Sequence, residues 1–198
     1  MQTPPTFGSL GAAVAALAAL ATPSRAAADQ APGASSGQWL GVGVGGAAGA
    51  SLAPGGAVIE GRYLYELTDA HAFEGVARFV FGGAGDACES TRCAQGAFAG
   101  RATQLMFGVR IELSPPARVV PWVRPSLGLR LQRYVEGDVG GTALPVGVAL
   151  GGAMYLAGSL RLSAELGIEA AYTWLDAPAD DRVSFATTAV VGIELPLD

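Results

Sequence analysis

The chain has 198 residues, enough for one domain. Hydrophobic residues make up 51% of it and charged residues only 15%, with 29 Gly and a mean hydropathy of +0.38, so it is too apolar for a typical soluble domain. The net charge of −5 provides no basic surface, which excludes nucleic acid as a partner. All 12 basic residues are Arg, the residue that suits buried ion pairs best.

The first 28 residues have the features of a secretory signal peptide. Residues 10–21 (LGAAVAALAALA) are an apolar core of signal length, and residues 26–28 offer an A-x-A cleavage site. An uncleaved membrane anchor is the alternative, since no basic residue precedes the core, but the core is short for a membrane span. Residues 29–37 are predicted to be a flexible leader, and residues 38–198 the folded domain.

After residue 37 the sequence alternates with a period of two. Apolar side chains occupy one parity and Gly, Ala, Arg or Glu the other, which predicts strands with one apolar and one polar face. No run of about 18 apolar residues follows the N-terminal segment, so a membrane helix is not expected. The alternation predicts eight strands, at residues 38–48, 57–67, 71–81, 101–113, 119–134, 143–156, 160–174 and 184–195.

The connections between these strands alternate in length as well. Loops at residues 51–56, 82–100, 135–142 and 176–181 alternate with tight turns at residues 68–70, 114–116 and 157–159. An even number of strands, each long enough for the ~9–11 residues of a tilted crossing, with short turns at one rim and longer loops at the other, is typical of outer-membrane barrels. The predicted fold is all-β: an eight-stranded, antiparallel, up-and-down transmembrane β-barrel with both termini in the periplasm.

The composition of the polar face decides between a membrane barrel and a soluble one. A soluble, lipocalin-like barrel would turn its apolar face inward. Here the polar face has nearly balanced charge, which a confined lumen requires because unpaired buried charge is costly. Eight strands enclose only enough space for side chains, so we predict a packed lumen and not an open pore. The residues predicted to form its ion-pair network are Glu60, Arg62, Glu66, Glu74, Arg78, Arg110, Glu112, Arg124, Arg130, Arg161, Glu165, Glu169 and Glu194.

Aromatic residues on the apolar face lie near the predicted strand ends, as in the two interfacial girdles of membrane barrels. Ordinary core aromatics are the alternative. Three aromatic residues, Trp39, Trp122 and Tyr155, have inward parity, so that either bulges turn them outward or they plug the lumen. The predicted girdle residues are Phe79, Phe81, Tyr172, Trp174 and Phe185 toward the long-loop rim and Tyr65 and Phe73 toward the short-turn rim.

With this pattern, the chain resembles the eight-stranded outer-membrane barrels of the OmpA/OmpX type, from Trp39 to Leu195. The resemblance lies in the patterning and not in a short motif. It implies a monomer among the lipids of the outer membrane of a Gram-negative-type bacterium. In that family the last strand commonly ends in an aromatic residue, whereas residues 192–198 (GIELPLD) alternate without a terminal aromatic.

Few residues of the chain suit catalysis or ligand binding. Cys88 and Cys93 stand in the longest loop and, in an exported protein, are predicted to form a disulfide. His71 is the only histidine, and it is placed beside a tight turn at the periplasmic rim, where we expect a surface residue and not a catalytic one. The Asp residues at 176–181 could bind Ca²⁺ weakly, although a solvated acidic loop is the simpler interpretation. No catalytic residue, metal site or cofactor is predicted.

Three functions are compatible with such a barrel. We expect a non-enzymatic structural or surface-interaction role, in which outer loops contact lipopolysaccharide, other cells or partner proteins. The loop at residues 82–100 is the predicted contact element, since function on rigid scaffolds concentrates in loops. The second function is a narrow, porin-like solute channel lined by Arg and Glu. The third is an outer-membrane enzyme that hydrolyses lipid or peptide, which would need a nucleophile or base at the outer rim.

Overall fold

The computed structural model describes residues 37–50, 53–83, 87–89, 92–94, 100–114, 118–134, 140–156, 160–175 and 182–197. The predicted signal peptide at residues 1–28, and the leader as far as residue 36, lie outside them. Among the described residues, no helix has the length and apolar character needed to cross a membrane. The strands are β1 (Gln38–Ala50), β2 (Gly56–Thr68), β3 (His71–Gly83), β4 (Ala87–Glu89), β5 (Arg92–Ala94), β6 (Gly100–Glu112), β7 (Val119–Tyr134), β8 (Gly140–Tyr155), β9 (Arg161–Leu175) and β10 (Arg182–Pro196).

Eight of these strands close into one antiparallel barrel in the order β1-β10-β9-β8-β7-β6-β3-β2. Neighbours in the barrel follow one another along the chain, except at the seam, where the first strand pairs with the last. The seam runs from Trp39 opposite Pro196 to Ala50 opposite Phe185. The predicted all-β, eight-stranded, up-and-down architecture is therefore confirmed, and the strand ends differ from the predicted ones by at most three residues.

Side chains alternate between the lumen and the outer surface along each barrel strand. In β2, Glu60 and Arg62 are buried, whereas Ile59 and Tyr63 beside them are exposed. Large apolar side chains are exposed in this way on every barrel strand. Water would penalise such a surface, but the hydrocarbon of a membrane does not. The apolar face is thus the outer face, as the sequence predicts.

The connections distinguish the two rims. At one rim, the turn after β2 is tight because the Thr68 hydroxyl accepts hydrogen bonds from the backbone N–H groups of Ala70 at 3.3 Å and His71 at 3.1 Å. At the other rim, the longest connection contains the hairpin β4–β5, in which Cys88 lies opposite Cys93. The alternation did not predict this hairpin, because strands of three residues are too short to display a period.

Candidate functional site

Among the described residues, the lumen of the barrel contains one connected, charge-neutral set of ion pairs. Five Arg and five Glu take part, each within 4.0 Å of an opposite charge. Nine of these ten residues are buried, and Glu169 is half-buried. The members of this lumen network are Arg62, Arg78, Arg110, Arg124, Arg130, Glu60, Glu74, Glu165, Glu169 and Glu194.

Arg110 holds together the part of the network nearest the short-turn rim. Its Nε donates a hydrogen bond to Glu74 Oε2 at 2.8 Å, and its Nη2 donates to Glu194 Oε1 at 2.9 Å. Arg124 also donates to Glu74. The guanidinium carbon of Arg110 lies 4.4 Å from the centroid of the Trp122 ring. Because β6 and β10 are diametrically opposite in the barrel, the Arg110–Glu194 bridge spans its full width.

Glu165 is the centre of the network at mid-barrel. It accepts hydrogen bonds from Nη2 of Arg78 and Nη2 of Arg124, both at 3.1 Å, and Nη2 of Arg62 lies 3.0 Å from its other oxygen. Arg78 in turn donates through Nε to Glu60 at 2.9 Å. β3 and β9 are also diametrically opposite, so that the Arg78–Glu165 pair is a second bridge across the full lumen.

Toward the long-loop rim the charged pairs give way to uncharged polar groups. Arg130 donates to Glu169 at 2.7 Å, to the Ser184 hydroxyl at 2.9 Å and to the side-chain Oε1 of Gln132 at 3.0 Å. Gln132 donates to the Tyr134 hydroxyl at 2.6 Å. The sequence did not single out these uncharged partners, because on an alternating strand a lone Gln or Ser has no signal beyond its parity.

The short-turn end of the lumen is closed by aromatic rings around a separate ion pair. Arg161 Nη2 lies 3.1 Å from Glu66 Oε1, which also accepts a hydrogen bond from Trp39 Nε1 at 2.7 Å. The Arg161 guanidinium carbon is 3.4 Å from the centroid of the Trp39 ring and 4.7 Å from that of Tyr155. Trp39 and Trp122 are buried and Tyr155 is half-buried. Of the two explanations for their inward parity, the plugged lumen is thus the one observed.

β1 and β8 provide the space for these long side chains. Their inward positions at mid-barrel are Gly or Ala, and neither strand contributes a charge to the lumen network. A Cβ atom on Gly151 would lie 2.2 Å from a ring carbon of Trp122, and one on Gly43 would lie 3.2 Å from Glu60 Cγ. The glycines of these two strands therefore leave room for the charged side chains of the other six strands.

The free space beside the mid-barrel pairs is small. A cavity of about 20 Å³ lies beside Arg78, Arg124 and Glu165, where Gly147 and Gly167 face the lumen. Such a volume holds about one water molecule. The lumen is therefore packed at this level.

Twelve of the thirteen predicted lumen charges take part in ion pairs, ten in the lumen network and two at the short-turn rim. The exception is Glu112, which is half-buried at the end of β6 and pairs with no cation among the described residues. Its inward parity agrees with the prediction. A carboxylate at the end of a strand is, however, less enclosed by the barrel than one in the middle.

The other predicted site residues do not form one common site. His71 is exposed, with Nδ1 3.0 Å from the Thr68 hydroxyl oxygen. The backbone register sets Cys88 opposite Cys93, and the acidic loop at 176–181 lies outside the described residues. In the part of the chain that the structure describes, no group of three or more His, Cys, Asp or Glu could hold a metal ion.

Exposed aromatic side chains lie near both ends of the outer surface. All seven predicted girdle residues are exposed on outward parity. Near the long-loop rim, the rings of Tyr172 and Trp174 have centroids 4.9 Å apart, and those of Phe79 and Phe81 are 5.5 Å apart. Between the two rims most large exposed side chains of the outer surface are aliphatic, as expected where acyl chains contact the barrel, and Phe107 in the middle of β6 is an aromatic exception.

Neither a family model nor a curated protein matches this chain by sequence. Among solved structures, it is similar to Neisserial surface protein A, with a TM-score of 0.61 and 13% identity over 83% of this chain and 99% of that one. The fold is that of an eight-stranded outer-membrane barrel. A further similar barrel is the outer membrane protein OprG from Pseudomonas aeruginosa, with a TM-score of 0.50 and 10% identity over 82% of this chain and 97% of that one. Together with the apolar outer surface, this fold places the barrel in an outer membrane, as predicted.

Proposed function

We propose that this protein is a closed outer-membrane barrel with a non-enzymatic structural or surface-interaction role, exerted through its outer loops. The observation that supports this most is the pair of full-width bridges, Arg110–Glu194 and Arg78–Glu165. A solute passing through the lumen would have to break both bridges. Breaking Arg110–Glu194 would leave the buried Glu194 carboxylate without its partner among the described residues, at a cost of about 3–5 kcal/mol. Passage is therefore disfavoured, and the surfaces left for interaction are the lipid-facing wall and the loops.

Planar-bilayer recordings test the closed lumen. The wild-type barrel is expected to give no steady, porin-like current. The double variant R78A/E165A removes one full-width bridge and should conduct more than the wild type, provided that its heat-modifiable gel mobility shows a folded barrel. Large, steady currents from the wild type would contradict the proposal and favour the narrow channel.

The loop at residues 82–100 is the proposed contact element. It is the longest connection at its rim, and the hairpin β4–β5 within it gives a defined backbone to present to a partner. Deleting residues 85–98 should leave the barrel folded while adhesion to cells or capture of a partner protein is lost. Deleting residues 135–139, in another loop of the same rim, is the matched control. If adhesion survives the first deletion, this loop is not the contact element.

A hydrolytic activity is tested through the single histidine. His71 is exposed beside a tight turn at the rim where β1 begins and β10 ends, and its ring contacts Thr68. Membrane extracts containing the wild type and the His71→Ala variant should therefore show the same lipase and protease activity. An activity that depends on the barrel and is lost in His71→Ala would overturn the non-enzymatic proposal.

A further inference from the structure

The lipid-facing surface of the barrel carries two charged side chains of the same sign, and they are neighbours. Among the described outward positions of the eight barrel strands, the residues are apolar or uncharged, apart from His71 at the short-turn end and Arg101 and Arg133 at the long-loop end. Arg101 is near the start of β6 and Arg133 near the end of β7, and the strand register sets them directly opposite each other. Both are exposed.

This placement carries an electrostatic cost. Directly opposite residues of an antiparallel pair have Cβ atoms about 4.5–5.5 Å apart, and like charges there repel. The lumen network does not involve either side chain, since both face outward. Arg133 also has an interaction within the chain. An anion held between two guanidinium groups would turn their repulsion into attraction.

The position of Arg101 and Arg133 in the barrel indicates which anion lies near them. Phe81 of β3 lies opposite Arg101 in the register and is exposed in the aromatic belt of the long-loop rim. Such belts lie at the level of the lipid headgroups, and long loops mark the outer face of the membrane. The two guanidinium groups therefore lie at the level of the phosphates in the outer leaflet, with apolar surface directly below them for acyl chains.

We infer that Arg101 and Arg133 form a clamp for a phosphate group of an outer-leaflet lipid, such as the phosphorylated glycolipid of an outer membrane. Guanidinium suits this task because its planar N–H groups bind phosphate oxygens at two points. The clamp is independent of the closed lumen and of the outer loops. A conducting lumen, or an inert loop at 82–100, would leave it unaffected.

Binding of lipid A provides the test. Purified wild-type barrel, R101Q/R133Q and the matched control R118Q, which removes an exposed Arg at the short-turn rim, are titrated with bisphosphorylated lipid A in detergent micelles. Bound lipid is followed by native mass spectrometry. The double variant should bind at least about tenfold more weakly, because it loses charge-assisted hydrogen bonds, whereas R118Q should bind like the wild type. R101K/R133K keeps both charges and should retain part of the affinity.

Two further measurements separate the lipid from other anions. Dephosphorylated lipid A should bind equally to the wild type and to R101Q/R133Q, and millimolar inorganic phosphate should not displace lipid A. The inference is overturned if R101Q/R133Q keeps wild-type affinity, if R118Q loses as much, or if inorganic phosphate competes fully. Gel mobility and β-type circular dichroism verify that each variant is folded, and the single variant R101Q serves if the double variant is not.

Discussion

Replacing Arg110 by Met is the sharpest test of the lumen network. Glu74 would still be bound by Arg124, but Glu194 is fully buried and Arg110 is its ion-pair partner among the described residues. A carboxylate left buried and unpaired costs about 3–5 kcal/mol, and the lost contact with the Trp122 ring about 1 kcal/mol more. R110M should therefore lower the free energy of unfolding by about 4–6 kcal/mol.

Adding E194L to R110M separates the energy of the lost ion pair from the cost of leaving a buried carboxylate unpaired. In R110M/E194L no carboxylate is left unpaired at this position, and apolar replacements of a buried ion pair are often neutral or stabilising. We expect the double variant to lose only about 1–2 kcal/mol, less than R110M alone. Arg161→Met is the matched control, because the side chain of its partner Glu66 is 35% exposed and stays hydrated. It should cost about 1–2 kcal/mol, mostly from its lost ring contacts.

Urea unfolding in lipid vesicles, followed by tryptophan fluorescence and gel mobility, measures these differences. The slope of free energy against urea should stay constant, so that the midpoints report stability. The reasoning fails if R110M lies within about 1 kcal/mol of the wild type, or if adding E194L lowers the stability further.

Two further predictions concern the glycine-lined wall and the outer hairpin. Gly151→Ala should displace the Trp122 ring, which shifts the tryptophan emission and lowers the urea midpoint, whereas Gly61→Ala should change neither, because its Cβ would meet no atom within 4 Å. Unreduced protein should resist alkylation, because Cys88 and Cys93 lie opposite each other and the Cα spacing of such pairs, about 4.5–5.5 Å, suits a disulfide. Two alkyl groups detected by mass spectrometry would contradict that bond.

The barrel could be predicted because each barrel strand shows its alternation within its own sequence and over many residues. Each barrel strand keeps the period of two for ten residues or more, and parity places the thirteen predicted lumen charges on the lumen side without knowledge of their partners. Parity likewise placed Trp39 and Trp122 inside, but it could not say whether they fill the lumen or are turned outward by bulges. That depends on the empty positions opposite, such as Gly151 beside Trp122.

The pairing within the lumen could not be predicted. Arg110 and Glu194 are 84 residues apart, and Arg78 and Glu165 are 87 apart. Which carboxylate each guanidinium reaches depends on the tilt and stagger of strands on opposite sides of the barrel, which no single strand encodes. Glu112 illustrates the same limit, because its parity is correct but its height in the barrel leaves it outside the network.

The full-width bridges also bear on how the barrel assembles. β6 and β10, like β3 and β9, are four places apart in the ring of strands, so that neither Arg110–Glu194 nor Arg78–Glu165 can form within a hairpin or an adjacent strand pair. An open sheet inserted in lipid would carry Glu165 and Glu194 without these partners from across the barrel, and its edges would have no hydrogen-bond partner. The pairing of β1 with β10 and the neutralisation of the lumen charges must therefore occur together. The barrel is thus an all-or-none assembly, and an incomplete barrel could not reside in the membrane.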